Sequence, residues 1–298
     1  MKDLKPYQME LDLIIEQSTN YGKMIPELYA LNYFIFSKQN KKLPPSIKKQ
    51  IKVKDTKLNI VLKPQILPDD ETIKYRYLNS TDFDVLNYII WKSSHQINKL
   101  PIVLISMNEM LSILGINKQK IKESLTLLTT HKAQFENESY YGILPNQFFD
   151  SFSVKQGQQT QVKLTTHLHQ WIINNKHLVM NYKQLFELNN RISKLLYIRI
   201  ICSNIAELNT TKPNILKIFN FIRFLDSFGI STNSKVKKAR VKKELIEAFT
   251  ELKEHHIINS IPTIYTTNND WSFELVLNAG FSQNTSLSNI MKKNLFSK

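Results

Sequence analysis

The chain has 298 residues, of which 42% are hydrophobic, and it carries a formal net charge of +15. The apolar content argues against general disorder, and the charge predicts a polyanionic partner, with nucleic acid favoured over an anionic membrane surface. The single cysteine, Cys202, excludes an internal disulfide and a cysteine-rich zinc site. There is no signal-peptide core and no apolar run of about 18 residues, which predicts a cytoplasmic protein that does not interact with membranes.

Residues 1–78 are predicted to form an N-terminal extension with a basic linker. Eight lysines and one acid lie between Lys38 and Lys57, around a pair of prolines. This composition is typical of a solvated segment, either an arm that follows DNA phosphates or a flexible basic connector. Two short helical patterns, split near Tyr21, precede it. The stretches Lys57–Leu62 and Thr72–Tyr77 alternate apolar and polar residues, which predicts strands.

Residues 79–178 are predicted to form a first winged helix-turn-helix domain. Its opening helix is capped by Ser80 or Thr81, and a strand follows at Ile102–Ile105. The apolar face of the opening helix comprises Phe83, Leu86, Ile89 and Ile90.

Two further helices follow in this domain, separated by a tight turn. The first begins after Ser106 and ends at Leu114, and Gly115 suits its left-handed end. Asn117 can cap the second, whose inward residues are Ile121, Leu125 and Leu128. Strands are then predicted around Phe135, at Tyr140–Leu144 and at Thr160–Thr165, which completes an order typical of a winged helix.

Residues 179–282 repeat this order in a second winged-helix domain, and residues 283–298 are a polar, flexible tail. A long apolar helix is predicted at Ile192–Ala206, and Gly229 ends the helix after it. That intermediate helix is predicted to open at Pro213 or Asn214, with an apolar face of Ile215, Ile218, Phe219, Ile222 and Leu225. A hairpin of Thr263–Thr267 and Trp271–Leu277 closes the domain. The predicted fold class is therefore α+β, mainly α, with two tandem winged helix-turn-helix domains and a basic N-terminal extension.

The stretch 233–260 contains the strongest functional signal. Six of the nine residues from Lys235 to Lys243 are basic and none is acidic. An amphipathic helical pattern overlaps this cluster and continues beyond it, with Val241, Leu245, Ala248, Phe249 and Leu252 on the buried stripe. A solvated helix face usually mixes both signs of charge, so this pattern favours a DNA recognition helix.

Winding this helix at about 100° per residue places Arg240 and Lys243 on its outward face, where they could contact guanine. The outward Val236 and Ala239 could contact thymine methyl groups. Phosphate contact is predicted for the lysines on the flanks. These are Lys235, Lys237, Lys238 and Lys242.

The remaining predicted DNA-binding residues lie at the cap of this helix, at the hairpin tip and in the first domain. They are Ser234, Asn268, Asn269, Lys118, Lys120 and Lys122. The lysines of the first domain share their helix with Glu123. That helix is therefore predicted either to touch the DNA backbone or to form a protein interface.

Three passages give this chain a resemblance to the iteron-type plasmid replication initiators, the Rep proteins with two winged-helix domains. Leu78–Tyr88 resembles the opening helix of the family's first domain, and Gln161–Trp171 is similar to the segment that closes it. Tyr182–Phe186 together with Ser193–Tyr197 resembles the first helix of the second domain. The resemblance spans roughly residues 70–280 and rests on degenerate, mostly apolar motifs.

The resemblance implies a bacterial protein associated with the nucleoid or a plasmid, without enzymatic activity, catalytic residues, metal or cofactor. Such initiators bind origin repeats in double-stranded DNA and promote melting of adjacent AT-rich DNA. They also recruit host replication proteins and repress their own promoter as homodimers, with a DNA-bound monomer as another form. In this family the second domain supplies the main base-specific helix, and the first serves dimerisation and secondary DNA contact.

Two alternatives remain at this stage. A winged-helix transcriptional regulator would share the same DNA-binding helix. A metal-dependent rolling-circle nickase would use His167 and His169 on one strand face, but Leu168 and Ile172 recur at helical spacing around them, which would direct the two histidines about 200° apart. All six glycines are isolated, so the chain has no glycine-rich phosphate-binding loop.

Overall fold

The computed structural model describes residues 19–25, 28–29, 33–36, 45–53, 56–68, 73–96, 100–135, 147–154, 159–174, 178–203 and 215–278. The chain divides into two compact units, which we call the N-terminal unit, Tyr21–Tyr182, and the C-terminal unit, Lys183–Lys298 together with Met1–Asn20. Both units combine helices with antiparallel strands, which confirms the α+β class. No helix in the described ranges is long and apolar enough to cross a bilayer. The strand predicted at Tyr140–Leu144 and the tail at 283–298 lie outside the described residues.

The N-terminal unit contains small antiparallel sheets and four described helices. The sheets pair β1 with β10 and β4 with β5, and they join β2-β3-β7 and β6-β9-β8 in those orders. The bounds are β1 Tyr21–Met24, β2 Ile47–Val53, β3 Thr56–Leu62, β4 Gln65–Pro68, β5 Ile73–Arg76, α1 Ser80–His95, β6 Ile102–Ile105, α2 Met107–Leu114, α3 Lys118–Thr130, β7 Gln134–Phe135, β8 Phe149–Ser153, β9 Thr160–Leu164, α4 Thr166–Asn174 and β10 Leu178–Asn181.

Helix α1 begins one residue earlier than predicted, because Asn79 and not Ser80 or Thr81 is its cap. The Asn79 side chain accepts the backbone N–H of Thr81, and the carboxylate of Asp82 accepts the N–H of Asn79 at 2.7 Å. The side chains of Asn79 and Asp82, three residues apart, thus form a reciprocal capping box, whereas Ser80 is followed at that spacing by Phe83. Asp82 is fully buried and is also paired with Arg76, so its charge is compensated.

The turn between α2 and α3 follows the predicted caps. Ser106 accepts the N–H of Glu109, and Asn117 accepts the N–H of Lys120. Gly115 has a φ of 62° and ends α2 in the left-handed conformation. The predicted inward residues of α1 and α3 are all buried. They are Phe83, Leu86, Ile89, Ile90, Ile121, Leu125 and Leu128.

The C-terminal unit contains one three-stranded sheet, in the order β11-β13-β12. Helix α5, at the boundary of the units, covers Tyr182–Glu187. The other bounds are α6 Arg191–Ser203, β11 Ile215–Ile218, α7 Phe221–Ser227, α8 Lys235–Glu254, β12 Tyr265–Thr267 and β13 Asp270–Val276.

Each unit contains the same succession of elements. In the N-terminal unit α1, β6, α2 and α3 precede the pair β8 and β9, and in the C-terminal unit α6, β11, α7 and α8 precede the pair β12 and β13. In both units the strand between the first two helices pairs with the last strand of the series, which also pairs with the strand before it. The internal repeat inferred from the sequence is therefore a repeat of topology.

The structure corrects the predicted helix at Pro213 or Asn214. Ile215–Ile218 is strand β11, which pairs with Phe273–Val276, and the helix α7 that follows is only seven residues long. The apolar run was too short to distinguish a strand from a helix turn by periodicity. Phe219 lies between the two elements with 57% of its surface exposed, so it is not part of a buried helix face.

The structure also departs from the predicted extension at residues 1–78. Ile47–Val53 is strand β2 and not a linker, because β3 supplies a full set of backbone partners for it. Tyr21–Met24 is a strand that pairs with Leu178–Asn181, although a split helical pattern was predicted there. Residues 21–78 accordingly belong to the N-terminal unit. The high lysine content of this segment had indicated a linker, although the segment forms a strand.

Candidate nucleic-acid interface

Helix α8 is anchored in the C-terminal unit by the predicted apolar stripe. Its five residues, Val241, Leu245, Ala248, Phe249 and Leu252, have no exposed surface. The ring of Phe249 meets that of Phe273 on β13 edge-on, with centroids 5.0 Å apart. The helix is thus fixed against the sheet along one face, which leaves the opposite face to solvent.

The second half of α8 is held against the start of α6 by its acidic residues. Glu244 forms a bidentate pair with Arg191, with N···O distances of 2.6 and 2.8 Å. Glu251 accepts the backbone N–H groups of Asn189 at 2.6 Å and of Asn190 at 3.1 Å. These N–H groups have no partner within the helix, and the dipole of α6 also favours a carboxylate beside them. These two acids therefore have structural partners within their own unit.

The first half of α8 has the opposite charge and no acid. Ser234 caps the helix by accepting the N–H of Lys237 at 3.2 Å, and the first turn contains no acidic residue. Because the N-terminus of a helix carries a partial positive charge, lysines there do not stabilise the helix itself. The same arrangement of N–H groups, dipole and lysines favours binding of an anion.

The structure places the predicted contact residues of α8 on the surface. Val236 has 80% of its surface exposed, and the side chain of Lys243 is 82% exposed. Glu247, one turn beyond Lys243, lies 4.0 Å from it and is the first acid on the outward face. The other exposed members of the predicted set are Ser234, Lys235, Lys237, Ala239, Arg240 and Lys242.

Lys238 differs from its neighbours, because it is directed toward the hairpin. Its Nζ donates a hydrogen bond to the backbone oxygen of Asn269 at 3.2 Å and lies 6.0 Å from the centre of the buried Trp271 ring. Asn268 and Asn269 form the turn between β12 and β13, with φ values of 50° and 61°. The structure thus brings the predicted hairpin residues next to the N-terminal half of α8, through a contact that the sequence pattern did not indicate.

The base of the same hairpin is tied to α7 by Asp270. Its Oδ1 accepts the N–H of Ile222 and that of Trp271, each at 2.7 Å. Asn220, at the start of α7, makes no side-chain cap, so Asp270 supplies the cap from another element. Arg223 lies 3.8 Å from Asp270 with its side chain 82% exposed, which adds a cation near the hairpin that sequence reasoning missed.

The turn between α7 and α8 is closed by backbone bonds. The N–H of Ile230 bonds to the carbonyl of Leu225 at 3.0 Å, and Gly229 has a φ of 75°, as its predicted role as a helix stop requires. Burial raises the pKa of Asp226, the nearby Asp270 adds to this effect, and a backbone hydrogen bond from Thr232 opposes it. These contacts set the direction in which α8 leaves the turn.

The corresponding helix of the N-terminal unit, α3, exposes its three predicted lysines. Lys118, Lys120 and Lys122 are all on the surface. Glu123 lies among them and accepts a hydrogen bond from Gln119 at 3.2 Å. The outward face of α3 therefore mixes charges, in contrast to the first nine residues of α8.

The histidines of the nickase alternative lie on helix α4. His167 is exposed and His169 half-buried, while Leu168 between them is buried. Residues two positions apart on a helix project about 200° apart, so His167 and His169 do not lie on one strand face. Within the described ranges, no group of three His, Cys, Asp or Glu side chains is arranged to hold a metal ion.

Comparison with known proteins shows a relationship of fold. No family model matches the sequence, and no curated protein sequence matches it. The structure is similar to a crystal structure of domains 2 and 3 of RctB, with a TM-score of 0.50 and 8% identity, over 86% of this chain and 100% of that one. A second crystal structure, of residues 155–483 of RctB, gives 0.49 and 6% over 85% of this chain and 98% of that one. At such identities the similarity to the first structure concerns the fold alone.

Proposed function

We propose that this chain is a sequence-specific double-stranded DNA-binding protein with a winged helix-turn-helix domain in each unit. The observation that carries the proposal is the exposed, acid-free basic half of α8 beside the turn of the β12–β13 hairpin. In a winged helix this helix enters the major groove and the hairpin lies against the neighbouring backbone. The repeated element order, with its identical strand pairing in both units, supports the domain assignment.

In the proposed complex the outward face of α8 contacts base edges near its N-terminus. Arg240 and Lys243 donate to guanine, and Val236 and Ala239 pack against thymine methyl groups. Lys235, Lys237 and Lys242 neutralise phosphates, with Ser234, Asn268 and Asn269 as polar backbone contacts. We assign Lys238 to positioning the hairpin, because its ammonium group already has the Asn269 carbonyl as a partner.

We infer further that the chain initiates plasmid replication by binding origin repeats and promoting melting of the adjacent AT-rich DNA. The resemblance at Leu78–Tyr88, Gln161–Trp171 and Ser193–Tyr197 to iteron-type initiators supports this inference. The same resemblance supports a homodimer that represses its own promoter, a monomer that binds the origin, and recruitment of host replication proteins. In this proposal the C-terminal unit supplies the main DNA contact, and the N-terminal unit supplies dimerisation and secondary contact.

Footprinting on the DNA that flanks the protein's own gene tests this function. An initiator protects several direct repeats beside an AT-rich stretch, and permanganate reactivity of thymines in that stretch increases when the protein binds. Protection of a lone palindrome without permanganate reactivity would instead identify a transcriptional regulator. No protection anywhere in the flanking DNA would contradict both functions.

The proposed role is non-enzymatic, and one measurement separates it from nicking. Supercoiled plasmid carrying the flanking DNA is incubated with the protein and Mg²⁺ or Mn²⁺, and the products are denatured and resolved. We expect neither relaxation nor a covalent protein–DNA adduct. An adduct that forms with the wild type and is lost on His167→Ala would overturn the proposal.

A further inference from the structure

The three-stranded sheet of the C-terminal unit has two faces, and only one of them is a core face. The buried residues of β11 and β13 alternate along each strand and form the side against which Phe249 of α8 packs. They are Leu216, Ile218, Trp271, Phe273 and Leu275. Since side chains alternate between the faces of a strand, the residues between them lie on the opposite side, which we call the outer sheet face. Lys217 and Glu274 form a cross-strand ion pair there, at 2.9 Å.

Two exposed aromatic residues lie on the outer sheet face. Tyr265 on β12 is opposite Ser272 on β13, so the two side chains share a face, and 58% of the surface of Tyr265 is exposed. On the other side of β13, the register of β11 ends with Ile218 opposite Phe273, so the next residue, Phe219, continues toward Ser272. More than half of the Phe219 surface is exposed as well. A small polar residue therefore lies between two large aromatic residues, whose strands are roughly 10 Å apart.

The backbone at Phe219 is fixed by its neighbours. Its carbonyl oxygen accepts a hydrogen bond from Arg199 of α6 at 3.3 Å, and the guanidinium group of Arg199 lies 4.7 Å from the centre of the Phe224 ring. The next residue, Asn220, has a φ of 53° and turns the chain into α7. The exposed ring is thus attached to an ordered backbone, which lowers the entropy cost of binding a ligand to it.

Two cations flank the aromatic residues, and each of them lies beside an acid. Lys217 is paired with Glu274, and Arg223 lies 3.8 Å from Asp270, two residues before Ser272 on β13. Among the described residues these pairs make the outer sheet face close to neutral, in contrast to the acid-free half of α8. A neutral face attracts the phosphates of a duplex only weakly, whereas unpaired bases can stack on its rings.

We propose that the outer sheet face binds an unpaired DNA strand by stacking its bases on Phe219 and Tyr265. Every base has an aromatic face, so this contact does not require a particular sequence. The basic half of α8, joined to the same hairpin by Lys238, attracts the phosphates of the strand to this unit. Because α8 packs on the core face of the sheet, the strand site is separate from the proposed duplex contact. The inference rests on the proposed function, in which melting of the origin supplies the unpaired strand.

Exposed aromatic residues are also common in protein–protein interfaces. The two roles make different predictions, because a protein-docking face does not contact DNA. Removal of its rings would leave the affinity for single-stranded DNA unchanged. The neighbouring cations of α8 favour the DNA strand over an uncharged protein surface.

The test measures the affinity of the full chain for a fluorescent oligothymidylate, which does not pair with itself, and for the flanking duplex. Phe219→Leu with Tyr265→Leu keeps apolar side chains but removes both rings. Phe219→Tyr with Tyr265→Phe keeps both rings, and Ile246→Ala is a control at an exposed apolar position of α8. Circular dichroism establishes that each variant is folded. In a second measurement an oligothymidylate with one 5-iododeoxyuridine is crosslinked to the wild type by ultraviolet light, and mass spectrometry locates the adduct.

We expect the leucine variant to bind oligothymidylate at least about tenfold more weakly, because each stacked base contributes to the affinity. Its affinity for the flanking duplex should stay near the wild-type value. The aromatic exchange and Ile246→Ala should retain wild-type affinity for both DNAs, and the adduct should form at Phe219 or Tyr265.

Wild-type affinity of the leucine variant for oligothymidylate, or an adduct only at other residues, would overturn the outer sheet face as a strand site. An equal loss in Ile246→Ala would overturn it as well. Failure of the proposed function gives a different result, in which the wild type binds oligothymidylate through these rings but does not protect the flanking duplex.

Discussion

Helices α3 and α8 occupy the same place in the element order of their units, but their surfaces differ. Both have a stripe of buried aliphatic residues, represented by Leu125 in α3 and Leu245 in α8. The outward face of α3 has three lysines and a glutamate, whereas the basic half of α8 has six cations and no acid. The comparison shows that the two helices share a buried pattern and differ in the charge of their outward faces, and it is this difference on which the proposed roles depend.

The largest effect should come from the shared part of the two helices, the buried stripe. Phe249→Ala removes a ring in contact with Phe273 and should cost about 3–5 kcal/mol of unfolding free energy, and Leu125→Ala about 2–5 kcal/mol. Urea denaturation followed by circular dichroism measures both. Ile246→Ala, at a position 44% exposed, serves as the control and should change stability by about 0.5 kcal/mol or less. A large effect of the control would show that the stripe is misassigned.

The end of α3 also gives the N-terminal unit a sensitivity to acid. His131 is fully buried, stacks on Phe148 and meets Tyr33 edge-on. Neither of its ring nitrogens has a hydrogen-bond partner among the described residues, and burial lowers its pKa from 6.5 to about 4. The unfolded chain binds a proton near pH 6.5, whereas the folded unit stays neutral until about pH 4. The stability due to neutral His131 is therefore complete above pH 6.5 and is lost as the pH falls toward 4.

The loss of unfolding free energy between pH 6.5 and pH 4 should reach about 3 kcal/mol, since each unit of pKa difference corresponds to about 1.4 kcal/mol. Urea midpoints measured between pH 7 and pH 4 reveal it, and His131→Leu should flatten this part of the profile. The same slope in wild type and His131→Leu would show that another group is responsible. This measurement tests a buried position at the end of α3 without involving DNA.

The contrast in outward charge is tested most directly at Arg240. Arg240→Ala should reduce the difference in binding free energy between the preferred site and random DNA by about 1–3 kcal/mol, because in the proposed complex this side chain contacts a base edge. Lys243→Ala should act in the same direction. Lys120→Ala on α3 is the matched control and should leave the discrimination unchanged. If Arg240→Ala weakens binding to the preferred site and to random DNA equally, Arg240 does not contact a base.

Helix α8 could be located from the sequence and strands β2 and β11 could not, for one physical reason. The stripe from Val241 to Leu252 recurs over about three turns, and Gly229 supplies a backbone conformation that few other residues adopt, so both could be found locally. Strand β11 could not, because its partner β13 lies more than fifty residues away and nothing within Ile215–Ile218 distinguishes a strand from a helix turn. Strand β2 was not predicted, because its high lysine content indicated a solvated linker although its apolar and polar residues partly alternate.

The site shows the same division between local and distant information. Exposure of Val236 and Lys243 follows from helical periodicity, which the structure reproduces. The bond from Lys238 to Asn269 joins residues 31 positions apart, and the cap that Asp270 provides for α7 spans 48 positions. Such contacts depend on tertiary packing and leave no trace in a local pattern.

A smaller effect is expected for a lysine on the flank of α8. Lys237→Ala should weaken binding to every sequence by a similar factor and reduce the slope of log affinity against log salt by about 1. Its side chain is exposed, and its partner at 3.2 Å is the exposed side chain of Asn233 and not the hairpin, so a phosphate can replace that partner. Lys253→Ala, on the exposed surface near the far end of α8, should leave the slope unchanged. A wild-type slope for Lys237→Ala would remove this residue from the interface.

The smallest effect on salt dependence should come from Lys238, although it lies beside Lys237. Its ammonium group already donates to the Asn269 carbonyl and lies near the Trp271 ring, so little of its charge is available to DNA. Lys238→Gln removes the charge but keeps an N–H donor. It should therefore retain the wild-type salt slope, while Lys238→Ala loses the connection to the hairpin and weakens binding without changing the slope. A decrease of about 1 in the slope for Lys238→Gln, equal to that of Lys237→Ala, would instead place Lys238 on a phosphate. The outward charge of α8 would then include all six cations, and the contrast with α3 would be larger than the structure indicates.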